Sequence, residues 1–132
     1  SELRAETVQM GYSLTKLLQD WQAFDCADLS AMEVPSFPAA YAFACAAWQI
    51  PEGEMASSYA WSWLENQVMA SMKTVPLGQV SGQKILLAAS KIIRTQLPKT
   101  LCLADDELSN FLPLLAISSS QHETQYSRLF RS

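Results

Sequence analysis

Charged side chains are scarce in this chain. They make up 17% of its 132 residues, against about 25% in an ordinary soluble domain. Histidine occurs once, at His122, so one chain cannot build a histidine-based metal cluster. Cys26, Cys45 and Cys102 are the three cysteines. Being odd in number and widely separated, they form neither a C-x-x-C pair nor a disulfide framework, which suits a reducing cytoplasm. All three are expected to be small buried hydrophobes. A phosphate-binding loop is also missing: Gly78-Gln79-Val80-Ser81-Gly82-Gln83-Lys84 lacks the Walker spacing and follows no strand. A net charge of −4 and a pI near 4.8 argue against nucleic acid as a partner, because phosphate binding needs clustered Lys and Arg. No low-charge run reaches the roughly 20 residues of a membrane span, and no signal-peptide pattern is read. The expected setting is the cytoplasm, away from membranes.

What the chain has in quantity is apolar surface. Hydrophobic residues make up 49% of it, including four Trp, five Phe and five Met. A domain of this length buries a fair core, yet it has too little interior for so many apolar side chains. Part of the uncharged surface is therefore expected to face another protein.

The apolar residues recur at helical spacing, with no alternation of strands. A first helix is expected over Glu2–Trp21, with Leu3, Met10, Leu14, Leu17, Leu18 and Trp21 on one broad stripe. Gly11 weakens it by about 1 kcal/mol relative to Ala and marks the close approach of a neighbour. Because Glu2-Leu3-Arg4-Ala5-Glu6 reads as the middle of a helix and no initiator Met precedes it, the chain is expected to be cut from something longer. A polar, irregular link over 22–37 follows. Pro38 then opens a second helix, whose Ala-rich run over 39–48 lets another helix pack closely.

Ile50-Pro51-Glu52-Gly53 reads as a turn, and Pro51 and Glu54 suit the start of a third helix over about 52–73. There Trp61, Leu64, Val68, Met72 and Val75 follow 3-4-4-3 spacing, while Met55, Tyr59, Trp63 and Ala70 line another side. A helix apolar around most of its circumference is expected to be buried by several neighbours, although Glu65-Asn66-Gln67 interrupt its centre. Val75-Pro76-Leu77-Gly78 breaks the chain before a fourth helix over about 79–97, in which Gly82 permits close packing and which Pro98 stops. Asp105-Asp106-Glu107 offers caps for a short helix, and Pro113 starts a last one towards His122. The pattern predicts an all-α fold: a compact bundle of about five to six helices forming one domain over 1–132, with an interaction tail at 124–132.

Few groups suggest catalysis. His122 beside Glu123 reads as a hydrogen-bonded helix-end residue. A small hydrolase or thiol enzyme pairing His122 with a cysteine is the alternative, and a helical carrier with an internal apolar cavity is a third reading. A homodimer would bring two copies of His122. Glu65 reads as a hydrogen-bonded or interfacial carboxylate, since burying a bare one is costly. Lys73 either favours the negative end of its helix or contacts a partner beside the 75–78 corner. Arg128 and Arg131, with Tyr126 and Phe130, have the anchor chemistry enriched at protein interfaces. No catalytic, cofactor or metal residue is expected, and the chain reads as a binding protein rather than an enzyme.

The ending His122-Glu123-Thr124-Gln125-Tyr126-Ser127-Arg128-Leu129-Phe130-Arg131-Ser132 resembles the signature terminus of the UreF family of urease accessory proteins. Trp61-Ser62-Trp63-Leu64-Glu65-Asn66-Gln67-Val68, with Lys73-Thr74-Val75-Pro76-Leu77-Gly78-Gln79, is similar to the family's central motif. Weaker likeness covers Glu2-Leu3-Arg4, Gln9-Met10-Gly11 and Asp105-Asp106-Glu107-Leu108, so the matches run in order over nearly the whole chain. The resemblance implies a homodimeric, non-enzymatic adaptor. It would bridge UreD (also called UreH) and the GTPase UreG in a complex that delivers nickel to apo-urease. It further implies that Tyr126, Arg128, Leu129, Phe130 and Arg131 contribute to the UreD interface. Lys73 and Pro76 are expected near the UreG-facing surface, with Glu65 and Gln79 as partner-binding residues of the same motif. Family members also carry an N-terminal helical part, with a Pro/Gly/Ser-rich motif, before the segment matching Ser1.

Overall fold

The helical periodicity is realised along the chain. The computed structural model describes residues 2–22, 25–75, 77–109 and 111–126. These form six α-helices: α1 (Glu2–Trp21), α2 (Ala27–Ala31), α3 (Phe37–Ala47), α4 (Glu52–Thr74), α5 (Gln79–Thr100) and α6 (Pro113–Glu123). A 3-10 helix spans Asp105–Glu107, and the described residues contain no strand. The fold is all-α, as the pattern predicts. The helices group into two units, Ser1–Ile50 with Phe111–Ser132, and Pro51–Asn110.

In the first unit α1 packs along α3 and touches α6. The core joins Leu18, Cys26, Leu29, Ala40 and Ala44, with Leu14 and Phe43 against it. The buried face of α1 runs through Gly11, Thr15 and Leu18, and so is rotated from the stripe expected. Leu3, Met10, Leu17 and Trp21 of that stripe stay 37–63% exposed. The cause is Gly11, against which the backbone of Pro35, Ser36 and Phe37 is pressed. Only a residue without Cβ admits a chain so close, and that contact decides which side of α1 faces α3. Thr15 can be buried there because its hydroxyl donates to the Gly11 carbonyl at 2.8 Å, leaving no polar group unsatisfied.

The link over 22–37 is not wholly irregular, since it contains α2. Asp25 Oδ1 accepts from the Ala27 N–H at 2.9 Å, which satisfies one free donor of the first turn, and Leu29 pins the helix into the core at 1% exposure. Five residues are too few to display a helical period. α3 begins at Phe37, one residue before Pro38. Ser36 Oγ accepts from the Ala39 N–H at 3.4 Å, and Ala40, Ala44 and Cys45 form the buried face. The ends of α1 and α3 are joined by Trp21 and Trp48, whose rings meet edge to face with centroids 6.0 Å apart.

The second unit is a helical hairpin of α4 and α5. Gly53 lies in the first turn of α4 rather than in the preceding turn, and the carboxylates of Glu52 and Glu54 sit at the positive helix end. Val68 and Leu86 are buried along the seam, with Gly82 beneath Val68 and Met72. The expectation that α4 is enclosed on several sides is corrected: within its unit α5 is the helix packed along it, and Trp61, Trp63 and Met69 remain exposed. Pro98 does not stop α5, which continues to Thr100. So near the end Pro costs one solvent-facing bond, to the Arg94 carbonyl, and the Leu101 N–H donates to Leu97 at 3.0 Å to close the turn. Glu107 Oε2 caps the 3-10 helix by accepting from the Ala104 N–H at 2.8 Å. Cys26 and Cys45 are buried as expected, but Cys102 is exposed because it falls in the surface turn that ends α5. Among the described residues no helix is long and apolar enough to cross a membrane.

The two packing glycines should respond oppositely to a methyl group. A Cβ at Gly11 would fall on the Pro35 carbonyl oxygen and lie 2.6 Å from Ser36 C and 2.8 Å from Phe37 N. These are backbone atoms that cannot step aside, so Gly11→Ala should destabilise by about 1–3 kcal/mol. At Gly82 the nearest atom is Met72 Sδ at 2.7 Å, the end of a flexible side chain. The gain in helix propensity, up to about 1 kcal/mol, should leave Gly82→Ala neutral or stabilised. Urea unfolding of both variants distinguishes the two.

Candidate partner-binding surface

Beside the α4–α5 seam lies a groove of about 510 Å³ lined by Tyr59, Ala60, Trp63, Leu64, Ala89, Ile92 and Ile93. Residues four apart share a helix face, so Tyr59 and Trp63 form one wall and Ala89 and Ile93 the other. Ala60 and Ala89 leave the space between. Trp63 is 58% and Ile92 61% exposed, which makes this an open groove rather than an enclosed cavity. The lining residues are aromatic or aliphatic, and only Tyr59 and Trp63 among them carry a polar side-chain group. Partial burial disfavours the phenolate and raises the Tyr59 pKa above its ordinary value of 10.0.

The residues singled out from the sequence divide between the two units. Glu65, Lys73 and Gln79 all belong to the hairpin and all are exposed. Lys73 occupies the last turn of α4 and Gln79 the first position of α5, behind the N-cap Gly78. They flank the 75–78 corner; Pro76 lies outside the described residues. Glu65 is exposed in the middle of α4 and bears no desolvation cost. Tyr126 follows α6 in the other unit and is fully exposed. Arg128, Leu129, Phe130 and Arg131 lie outside the described residues. α6 itself turns Leu114, Leu115 and Ile117 outward at 50–78% exposure.

Sequence reasoning missed the groove as a feature, although it placed Tyr59 and Trp63 on a common side of their helix. The opposite wall could not be found by periodicity, because Ala89 and Ile93 read equally well as core residues of α5. His122 is half-buried in the last turn of α6. Among the described residues no group of three or more His, Cys, Asp or Glu side chains comes together.

Comparison with known proteins supplies the relatives. A family model described as UreF matches residues 1–90. A urease accessory protein UreF from Azoarcus sp. is 54% identical over 137 aligned residues, covering 100% of this chain and 58% of the relative. Relatives of the same name from Methylobacillus flagellatus and Dechloromonas aromatica are 50% and 46% identical, again over 100% of this chain and 60% of their own length. The chain thus spans about three-fifths of the curated relatives it matches.

Partial burial of Tyr59 has a measurable consequence. The folded state holds the phenol protonated to higher pH than the unfolded chain does, so the stabilisation is full below pH 10 and is lost as pH rises through the folded pKa. Absorbance at 295 nm during alkaline titration of the folded chain should show one of the four tyrosines ionising late. That late fraction should vanish in Tyr59→Phe. Its persistence there would show that the buried phenol belongs to another tyrosine.

Proposed function

The chain belongs to the UreF family of urease accessory proteins, and on that premise we propose that it acts as a scaffold without chemistry of its own. It brings UreD (UreH) and the GTPase UreG together for nickel insertion into apo-urease, as a homodimer in the cytoplasm. The observation that carries this reading is the display of large apolar side chains outside any internal core. Trp61, Trp63, Met69, Ile85 and Ile92 on the hairpin are 38–61% exposed. Surface of this kind favours burial against another protein.

In this reading Lys73, Pro76 and Gln79 meet UreG around the 75–78 corner, Glu65 meets it from the middle of α4, and the groove offers apolar area to a partner. Tyr126 and the Arg128–Arg131 stretch anchor UreD from the other unit. The rings supply apolar area, and the guanidinium groups supply planar, multidentate hydrogen bonds. The nickel ion is cargo handed between partners, and UreG supplies the GTP hydrolysis.

Co-purification of the chain with UreD and with UreG tests the scaffold. Lys73→Ala should weaken UreG recruitment several-fold, about 1–2 kcal/mol, with an unchanged melting temperature. A lowered melting temperature with normal recruitment would assign Lys73 to its helix end alone. Deleting residues 126–132 should weaken the UreD complex by about tenfold or more, measured by calorimetry. An unaltered complex would remove the tail from the interface.

A further inference from the structure

The cations of this acidic protein are concentrated on one helix. Of the nine Lys and Arg residues, four lie in α5, at Lys84, Lys91, Arg94 and Lys99, and none of the thirteen Asp and Glu does. At 100° per residue the four fall within an arc of about 140°. That arc is centred opposite the seam residues Gly82, Leu86 and Ile93. All four are exposed, and none makes an ion pair within the described residues. Val80 and Leu87 project between them at 70% and 64% exposure. A surface charge normally gains from an opposite neighbour three or four residues away; α5 provides none, although the chain carries an excess of carboxylates elsewhere.

We infer that this outer face of α5 is a docking surface for an acidic, partly apolar face of another protein. Its edge at Lys99 adjoins the groove flank, where Ile92 lies about 20° away around the helix, whereas Lys84, Lys91 and Arg94 face away from the groove residues. Charge complementarity argues for the occupant: four uncompensated cations along about 22 Å of helix attract a row of carboxylates, and they steer the encounter from a distance. Val80 and Leu87 then find apolar counterparts, as the mixed composition of protein interfaces requires. Nucleic acid fits less well, since the face has no aromatic ring for base stacking and the remainder of the chain repels phosphate. An anionic membrane also fits less well. An interfacial helix must sink its apolar half into the lipid, and that half of α5 is packed against α4.

The test uses the whole chain and a fluorescein-labelled 18-residue helical peptide of Glu, Leu and Ala, with Glu at i, i+7, i+10 and i+15 to mirror the four cations. Fluorescence anisotropy should report binding at 50 mM NaCl that weakens steeply by 500 mM. The Glu→Gln version of the peptide should bind about tenfold more weakly. In the chain, K84E/K91E/R94E should abolish binding, and the milder K84Q/K91Q/R94Q should weaken it about tenfold, both with unchanged helicity by circular dichroism. The control R4E/K16E, which alters exposed cations on α1, should bind like the wild type. Equal binding by the wild type and the glutamine variant overturns the inference, as does equal loss in the α1 control or no binding by the wild type. Tighter binding to phosphatidylserine vesicles or to duplex DNA than to the peptide also overturns it. None of these outcomes depends on UreD or UreG, so the inference fails or survives separately from the urease reading.

Discussion

A helix packed against one neighbour buries one face, and its remaining circumference stays in contact with solvent. In the hairpin of α4 and α5 the seam takes up Val68, Leu86 and Gly82 and little else. Everything distinctive about that unit follows from the limit. Trp63, which would fill a core in a thicker layer, lines an open groove, Trp61 stays exposed, and the far side of α5 is left to its lysines and arginine. The apolar fraction of the chain is sufficient for a larger interior than this pairing provides.

The first unit meets the same limit with a tighter contact. Gly11 lets the backbone ahead of α3 lie directly on α1, and that approach selects the face on which the core assembles. Thr15 is drawn inside, with its hydroxyl bonded to the carbonyl one turn back, while Leu17 and Trp21 are left outside. The choice is counter to hydrophobicity residue by residue. It is favoured because close backbone packing brings Leu18, Leu29, Ala40 and Ala44 together in one buried cluster.

These constraints give the chain surfaces of different chemistry. The groove beside the seam is aromatic and aliphatic, with a single hindered phenol; the outer face of α5 is cationic with isolated aliphatic residues; α6 presents leucine and isoleucine. The scaffold role proposed above would call for such chemically separate faces, because specificity between partners is a difference of affinities. Scarcity of charge in the chain as a whole and the gathering of four of its nine cations on α5 are two sides of that arrangement.

The helical class, five of the six α-helices and most of their ends were legible in the residues themselves. Pro38, Gly78, Pro113 and the carboxylates Glu52 and Glu54 act through local backbone geometry and the helix dipole, which need no distant partner. Gly11 and Gly82 announced close approach for the same reason, since a missing Cβ is useful only where something comes near. The central and terminal motifs likewise carried the family. What the tertiary structure alone decided was which face each helix turns inward: the rotation of α1, the exposure of Trp63 on an apolar α4, the burial of Cys45 against the exposure of Cys102, and the short α2 held by Leu29. Periodicity records that a helix has an apolar side, but a helix apolar on two sides has no local reason to prefer one. The preference arises from the neighbour that reaches it, through contacts between residues far apart in the chain.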